Sequence, residues 1–226
     1  MNRGSASFSL AQYRRILQQA LAAGFSFQTF SQYLTAPARK VILLRHDVDL
    51  SLEYAMEMAR LENELGVKST YFVRIHSTRY NLFDRFNFRF LQELLGLGFE
   101  IGVHQEVCNF THNCEDSLEL LKREKLIIET ILGREVYGVA THIPKRNHHS
   151  LSPEVIDRIG FKYAPDFDVF NRDAVFISDS NKRWKKYTFD EALSISHKIL
   201  ANIHPVWWVG KVGDVEGLIA FLRDGN

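Results

Sequence analysis

Two carboxylates one residue apart, Asp47 and Asp49, close a run that begins Val41-Ile42-Leu43-Leu44 and turns polar at Arg45 and His46. Four more apolar runs also end in a residue able to do chemistry: His104, His142, Asp179 and His204. Asp and His are ligands for zinc and similar divalent ions, and three protein ligands with one open position make a catalytic site. Such an ion acidifies a bound water and polarises a carbonyl. A carboxylate that stays off the metal can take a proton from the water, and a His across the site can protonate a leaving group. This inventory suits hydrolysis of an amide or ester. The chain has neither a Gly-rich phosphate loop nor a Gly-x-Ser-x-Gly nucleophile elbow.

The elements that carry these residues are short buried strands alternating with helices. Val41 to Leu44 is continuous, branched and apolar, as a strand buried on both faces must be. Ser51 to Leu65 has helical periodicity, with Ser51 as N-cap and Gly66 as stop. Ser69 to Val73 is the next strand, so the three form a βαβ unit with a parallel pair. Tyr80 to Phe90 is an aromatic and basic stretch, expected as a loop leading into a helix over 88–95. Phe99 to His104, Val136 to His142, Phe161 to Ala164, Val175 to Ser178 and Ile199 to Ile203 are further strands. Helices are expected over 115–132, 153–159, briefly at 191–193, and over Asp214 to Leu222 at the end. The first 39 residues form a helical packing layer, with helices at 8–23 and 29–34. Polar residues gathered at the ends of successive parallel strands are the pattern of a β/α barrel with its site at one mouth.

The 226 residues are 46% apolar with a formal net charge of +1, which suits one α/β domain over residues 1–226. Charge so near zero argues against nucleic-acid or membrane-surface partners. Cys108 and Cys114 match no zinc-finger or redox spacing and are expected to be reduced. With no apolar signal core behind Met1, the expected location is cytoplasmic. Nothing in the chain indicates an oligomeric state.

The motifs also carry a resemblance. Arg45-His46-Asp47-Val48-Asp49 resembles the first motif of the polysaccharide deacetylase superfamily (carbohydrate esterase family four and its relatives), in an Asp-x-Asp form. Ser69-Thr70-Tyr71-Phe72-Val73 is similar to its second strand. Gly98-Phe99-Glu100-Ile101-Gly102-Val103-His104 resembles its Gly-His-Glu-Ile-Gly-x-His motif, with Phe99 in place of the first His. Asp179 with Trp184, and Ile203-His204-Pro205, resemble its closing motifs. The likeness covers about residues 41–208 and is greatest to the branch that builds surface polysaccharides.

The resemblance implies a distorted (β/α) barrel of about seven strands. It implies Asp47 as general base, His204 as general acid, and Asp179 as the residue that orients His204. It implies Asp49 and His104 as metal ligands, and Trp184 and Trp208 against the substrate; Arg45, also a substrate-binding candidate, is expected first to hold the carboxylates in place. The family's further His, four residues after the first, is here Cys108. The third ligand is therefore left among His142, Cys108 and Glu106, with His142 preferred. The implied cofactor is zinc, with cobalt or nickel as alternatives. The implied substrate is a carbohydrate: an N-acetylated or N-formylated amino sugar of a surface-polysaccharide precursor. The competing readings are hydrolysis of a small non-sugar amide and a catalytically silent carbohydrate-binding barrel.

Overall fold

In the computed structural model, residues 8–107, 114–142 and 151–210 are described. Seven strands form one parallel sheet: β1 (Ser26–Gln28), β2 (Val41–Val48), β3 (Thr70–Val73), β4 (Glu100–Gln105), β5 (Val139–Thr141), β6 (Val175–Ser178) and β7 (Lys198–Ile203). Their order is β5-β4-β3-β2-β7-β6, and β1 pairs with β2 off this path. One edge of β2 lies along β7 from Val41 to His46. The other edge meets β1 at Val41 to Leu43 and β3 at Arg45 to Val48. β2 is thus the central strand, buried at every residue.

The apolar run and the polar motif are one strand. Arg45, His46 and Asp47 continue β2, so their side chains alternate between its faces. Val41, Leu43, Phe72, Ala140 and Leu200 face inward and pack with Phe30, Tyr163 and Phe170 to fill the barrel. By the same alternation Arg45 and Asp47 face inward, as do Gly102 and His104 on β4. Glycine at 102 is required: a Cβ there would lie 2.5 Å from the Phe72 ring.

Helices cover the outer face. α1 (Leu10–Ala22) and α2 (Phe30–Thr35) make the N-terminal layer, α2 opening with a Thr29/Gln32 capping box. α3 (Leu52–Glu64) starts at Ser51, whose hydroxyl accepts from the Tyr54 amide. α4 (Arg85–Gly96), α5 (Cys114–Leu132) and α6 (Pro153–Ile159) follow, then the short α7 (Asp168–Asn171), α8 (Phe189–Ile195) and α9 (Pro205–Val209). One outer cluster joins α3, α4 and α5 to β3 and β4; a second joins α1, α8 and α9 to β2, β6 and β7.

His46 points outward into a closed polar network. Its Nε2 lies 2.7 Å from Glu62 Oε1, which also accepts from the Tyr13 hydroxyl. Glu62 Oε2 accepts from Ser69 Oγ at 2.6 Å and from the Tyr71 hydroxyl at 3.0 Å. Both His46 and Glu62 are fully buried.

Several expectations are corrected. Phe161 to Ala164 is not a strand; only Tyr163 bridges to Gly138, because its ring turns inward over the missing Gly138 side chain. α4 begins three residues before position 88, because Asp84 caps it by accepting from the Phe86 and Asn87 amides. The 191–193 helix is longer, starting from a Thr188/Glu191 capping box. The expected helix at Asp214 to Leu222 lies outside the described residues, as do Cys108, His148 and His149.

Candidate active site

The carboxyl ends of β2, β4, β5, β6 and β7 bring the sequence-predicted residues together. Asp49 follows β2 and is held from behind. The Arg74 guanidinium donates to the Asp49 carbonyl at 3.3 Å and clamps Glu106 with three contacts of 2.8–3.0 Å. The Tyr80 hydroxyl donates to the Val48 carbonyl at 2.7 Å, and the Arg74 amide donates to Tyr80.

Asp49 Oδ1 lies 3.4 Å from His104 Nε2 and 3.6 Å from His142 Nε2. These three residues offer one ligand atom each within 4.8 Å of one another. His104 Nδ1 lies 3.3 Å from the Ala140 carbonyl, and His142 Nδ1 lies 3.4 Å from Glu106 Oε2. The Ala140 carbonyl can only accept, so His104 Nδ1 carries a proton and its Nε2 faces Asp49; His142 Nδ1 faces Glu106 without a hydrogen bond, and its Nε2 faces Asp49. Asp49 Oδ1 is buried and accepts no hydrogen bond. Three potential ligand atoms thus converge on one point, the donor set of a divalent ion. Two imidazoles and a carboxylate, each imidazole oriented by an acceptor behind it, fit zinc or a similar divalent ion. Burial pushes the Asp49 carboxyl up, yet the imidazoles of His104, His142 and His204 hold it at about 2.

Asp47 lies beside this group and is 3% exposed. Arg45 grips it with Nε at 3.1 Å from Oδ1 and Nη2 at 2.8 Å from Oδ2, its guanidinium lying over the Phe72 ring. Burial opposes the charge on Asp47, but Arg45, then His104 and His204, hold its carboxyl far below the usual range. Oδ2 is 3.8 Å from His104 Nε2 and 3.9 Å from His204 Nε2, too long for direct bonds.

Asp179, fully buried at the end of β6, organises the opposite wall. It accepts from His204 Nδ1 at 2.6 Å, from the His204 amide and from Trp208 Nε1 at 2.7 Å. Burial pulls the His204 imidazole down, but Asp179 dominates the other charges and raises it to about 9. Its Nε2 is thereby turned toward Asp47.

The expected substrate-facing residues sit less openly. Arg45 is 6% exposed and committed to Asp47; Trp208 is 4% exposed, packed on Tyr13 and Phe8, and spends its indole N–H on Asp179. Trp184 is half-buried between Phe8, Phe189 and Trp208. Glu106, gripped by Arg74, stands behind His142. Arg74 and Tyr80 were not expected here. Arg74 carries the same signal as the others, a charge directly after an apolar strand run.

Solved structures share this fold. The peptidoglycan deacetylase PdaC from Bacillus subtilis aligns with a TM-score of 0.53 at 18% identity, covering 84% of this chain and 86% of that one. A family 4 carbohydrate esterase from Bacillus anthracis aligns at 0.51 and 18%, covering 94% and 84%. A CE4 family pseudoenzyme from Bacillus anthracis aligns at 0.50 and 16%, covering 84% of this chain, which spans 63% of its length. No protein-family model and no curated protein matches the chain. The fold is that of the CE4 carbohydrate esterases and polysaccharide deacetylases.

Proposed function

We propose that this chain is a metal-dependent hydrolase that removes an acetyl or formyl group from the nitrogen of an amino sugar. The observation that carries the reading is the convergence of Asp49, His104 and His142 beside two oppositely tuned groups, Asp47 and His204. A divalent ion held by Asp49, His104 and His142 would supply Lewis-acid polarisation of the acyl carbonyl and acidify a water.

The remaining work falls to the protein. Arg45 keeps Asp47 ionised, so Asp47 can accept a proton as water attacks the carbonyl carbon. The carbon–nitrogen bond then breaks, and His204 gives its Nε2 proton to the departing nitrogen. The products are a carboxylic acid and a free amine. Asp179 fixes His204 with Nδ1 inward and Nε2 toward the site, and its charge keeps the ring protonated until it is needed. Trp208 donates to the other Asp179 oxygen and so holds the carboxylate still. Arg74 and Glu106 support Asp49 and His142 from behind. The carbohydrate substrate, a precursor of a surface polysaccharide, belongs to the same proposal and rests on the motif resemblance.

The test is metal content and acyl release together. The purified chain, loaded with zinc, cobalt or nickel, is expected to bind about one ion and to release acetate or formate from N-acyl amino sugars. Asp49→Ala should lose both. If Asp49→Ala retains the ion, or the loaded protein releases no acid while still binding sugar, the hydrolase reading gives way to a binding barrel.

A further inference from the structure

The loops at the site mouth have a composition unlike the rest of the chain. Overall the charges balance, 28 Lys and Arg against 27 Asp and Glu. The segment after β3 carries Arg79, Arg85 and Arg89 against one acid, Asp84, which is occupied as the α4 N-cap. The segment from Ser180 to Tyr187, after β6, holds four cations and no acid. Arg79, Arg85, Arg89, Lys182, Arg183 and Lys186 are all exposed, and none has a carboxylate partner among the described residues.

Topology puts these cations around the site. In a parallel sheet the loops leaving the strand carboxyl ends share one mouth. β3 and β6 lie on opposite sides of β2, so the basic segments form two facing lips. Each lip is tied to the chemistry. Tyr80 and Arg74 of the first hold Val48 and Asp49, and the second begins at Asp179 itself. The first lip also exposes Phe83 (71%) and Phe86 (64%) between its arginines. Unpaired cations on a mouth of this kind attract anions and raise their local concentration. Arg in particular binds phosphate through a planar fork.

Building on the hydrolase reading above, we propose that the substrate is an acylamino sugar carrying a phosphate or diphosphate, held between the two basic lips while the amide enters the site. The exposed phenylalanines give the group beyond the phosphate an apolar surface. Two sources share this chemistry, a nucleoside diphosphate sugar and a lipid-linked sugar phosphate.

Binding, measured apart from turnover, tests this. Three probes are used with the full chain and with Asp49→Ala: free N-acetylglucosamine, its uridine diphosphate conjugate, and phosphatidylcholine vesicles with or without a polyprenyl-phosphate-linked N-acetyl sugar. At low salt a phosphate-bearing probe should bind about tenfold or more tightly than the free sugar, with the advantage shrinking as salt rises. Neutralising either lip (Arg79→Gln/Arg85→Gln/Arg89→Gln, or Lys182→Gln/Arg183→Gln/Lys186→Gln) should remove most of that advantage. Tighter binding of the uridine conjugate identifies the nucleotide source; binding only to vesicles bearing the sugar phosphate identifies the lipid source. Equal binding of free and phosphorylated sugars, binding of neither, or unchanged preference in both lip variants overturns the proposal. Phosphate-dependent binding with no acyl release would leave it standing while removing the hydrolase reading.

Discussion

His46 and Asp47 are neighbours on one strand, yet they end in opposite kinds of polar cluster. His46 faces outward to Glu62, where Tyr13, Tyr71 and Ser69 meet both carboxylate oxygens and no solvent enters. Asp47 faces inward, where Asp49 Oδ1 accepts nothing and two imidazole Nε2 atoms lie 3.4 and 3.6 Å from it. Both clusters are buried and rich in charge, so burial does not separate them. The difference lies in how acceptors are used. In the outer cluster both oxygens of its carboxylate are spent within the protein, leaving only His46 Nδ1 without a partner. The inner cluster leaves Asp49 Oδ1 unspent and carries the proposed metal site and chemistry.

That contrast can be broken or sharpened by substitution. The largest effect is expected from Asp49→Asn on activity. Weakening the ion's hold removes several kcal/mol of charge stabilisation, a rate loss on the order of 10³-fold or more. In the metal-free protein the same change should cost urea stability at neutral pH, because the carboxyl is held down at about 2, but less than Glu62→Ala does; a loss as large would mean that the inner cluster is as structural as the outer. Glu62→Ala is the mirror case. It leaves His46, two tyrosines and a serine without their acceptor, and should cost about 3–5 kcal/mol in urea unfolding, with metal affinity of the folded protein unchanged.

Asp179→Asn probes the boundary between the two kinds. In the metal-free protein His204 should titrate by NMR at about 9, and the substitution should bring it down toward 6.5. The sign follows from the raised value: the folded protein holds this proton more tightly than the unfolded chain. The contribution to stability is complete below pH 6.5 and is lost as the pH climbs through about 9. A titration unmoved by the substitution would show that Asp179 does not set the His204 charge. The smallest effect is expected from Tyr71→Phe, which removes one of the donors to Glu62 and should cost about 1 kcal/mol. A loss as large as that of Glu62→Ala would show that the outer network acts as an indivisible unit.

The inner cluster was more legible than the outer one because its residues share a signal. Asp49, His104, His142, Asp179 and His204 each follow an apolar run, and parallel strands deliver such positions to one mouth. His46 carries no such mark, since only the parity of β2 decides which way it points, and that parity shows once the strand is seen to continue through Asp47. Glu62 offered a weaker trace, an acid standing on the apolar stripe of α3. Phe161 to Ala164 reads as a strand by composition, but backbone pairing depends on partners that composition does not specify, and Lys162 and Tyr163 make only a single isolated bridge against Tyr137 to Val139. The starts of α4 and α8 were set by caps at Asp84 and Thr188, local hydrogen bonds that outrank apolar periodicity. The buried place of Trp208 follows from its indole N–H reaching Asp179, a contact between elements far apart in the chain.

The strand path stops at β5 on one side and at β6 on the other, and no ladder joins those margins among the described residues. Beyond the isolated Gly138–Tyr163 bridge at the β5 margin, the cylinder is therefore split by a seam, with Phe30, Tyr163 and Phe170 packed in its interior. His104 and His142 stand on one flap of this split wall, Asp179 and His204 on the other, and β2 is the spine between them. A slight change in curvature would alter the gap across the site while leaving each flap's internal bonds intact. Asp47 and Asp49, seated on the spine, are the fixed reference for both.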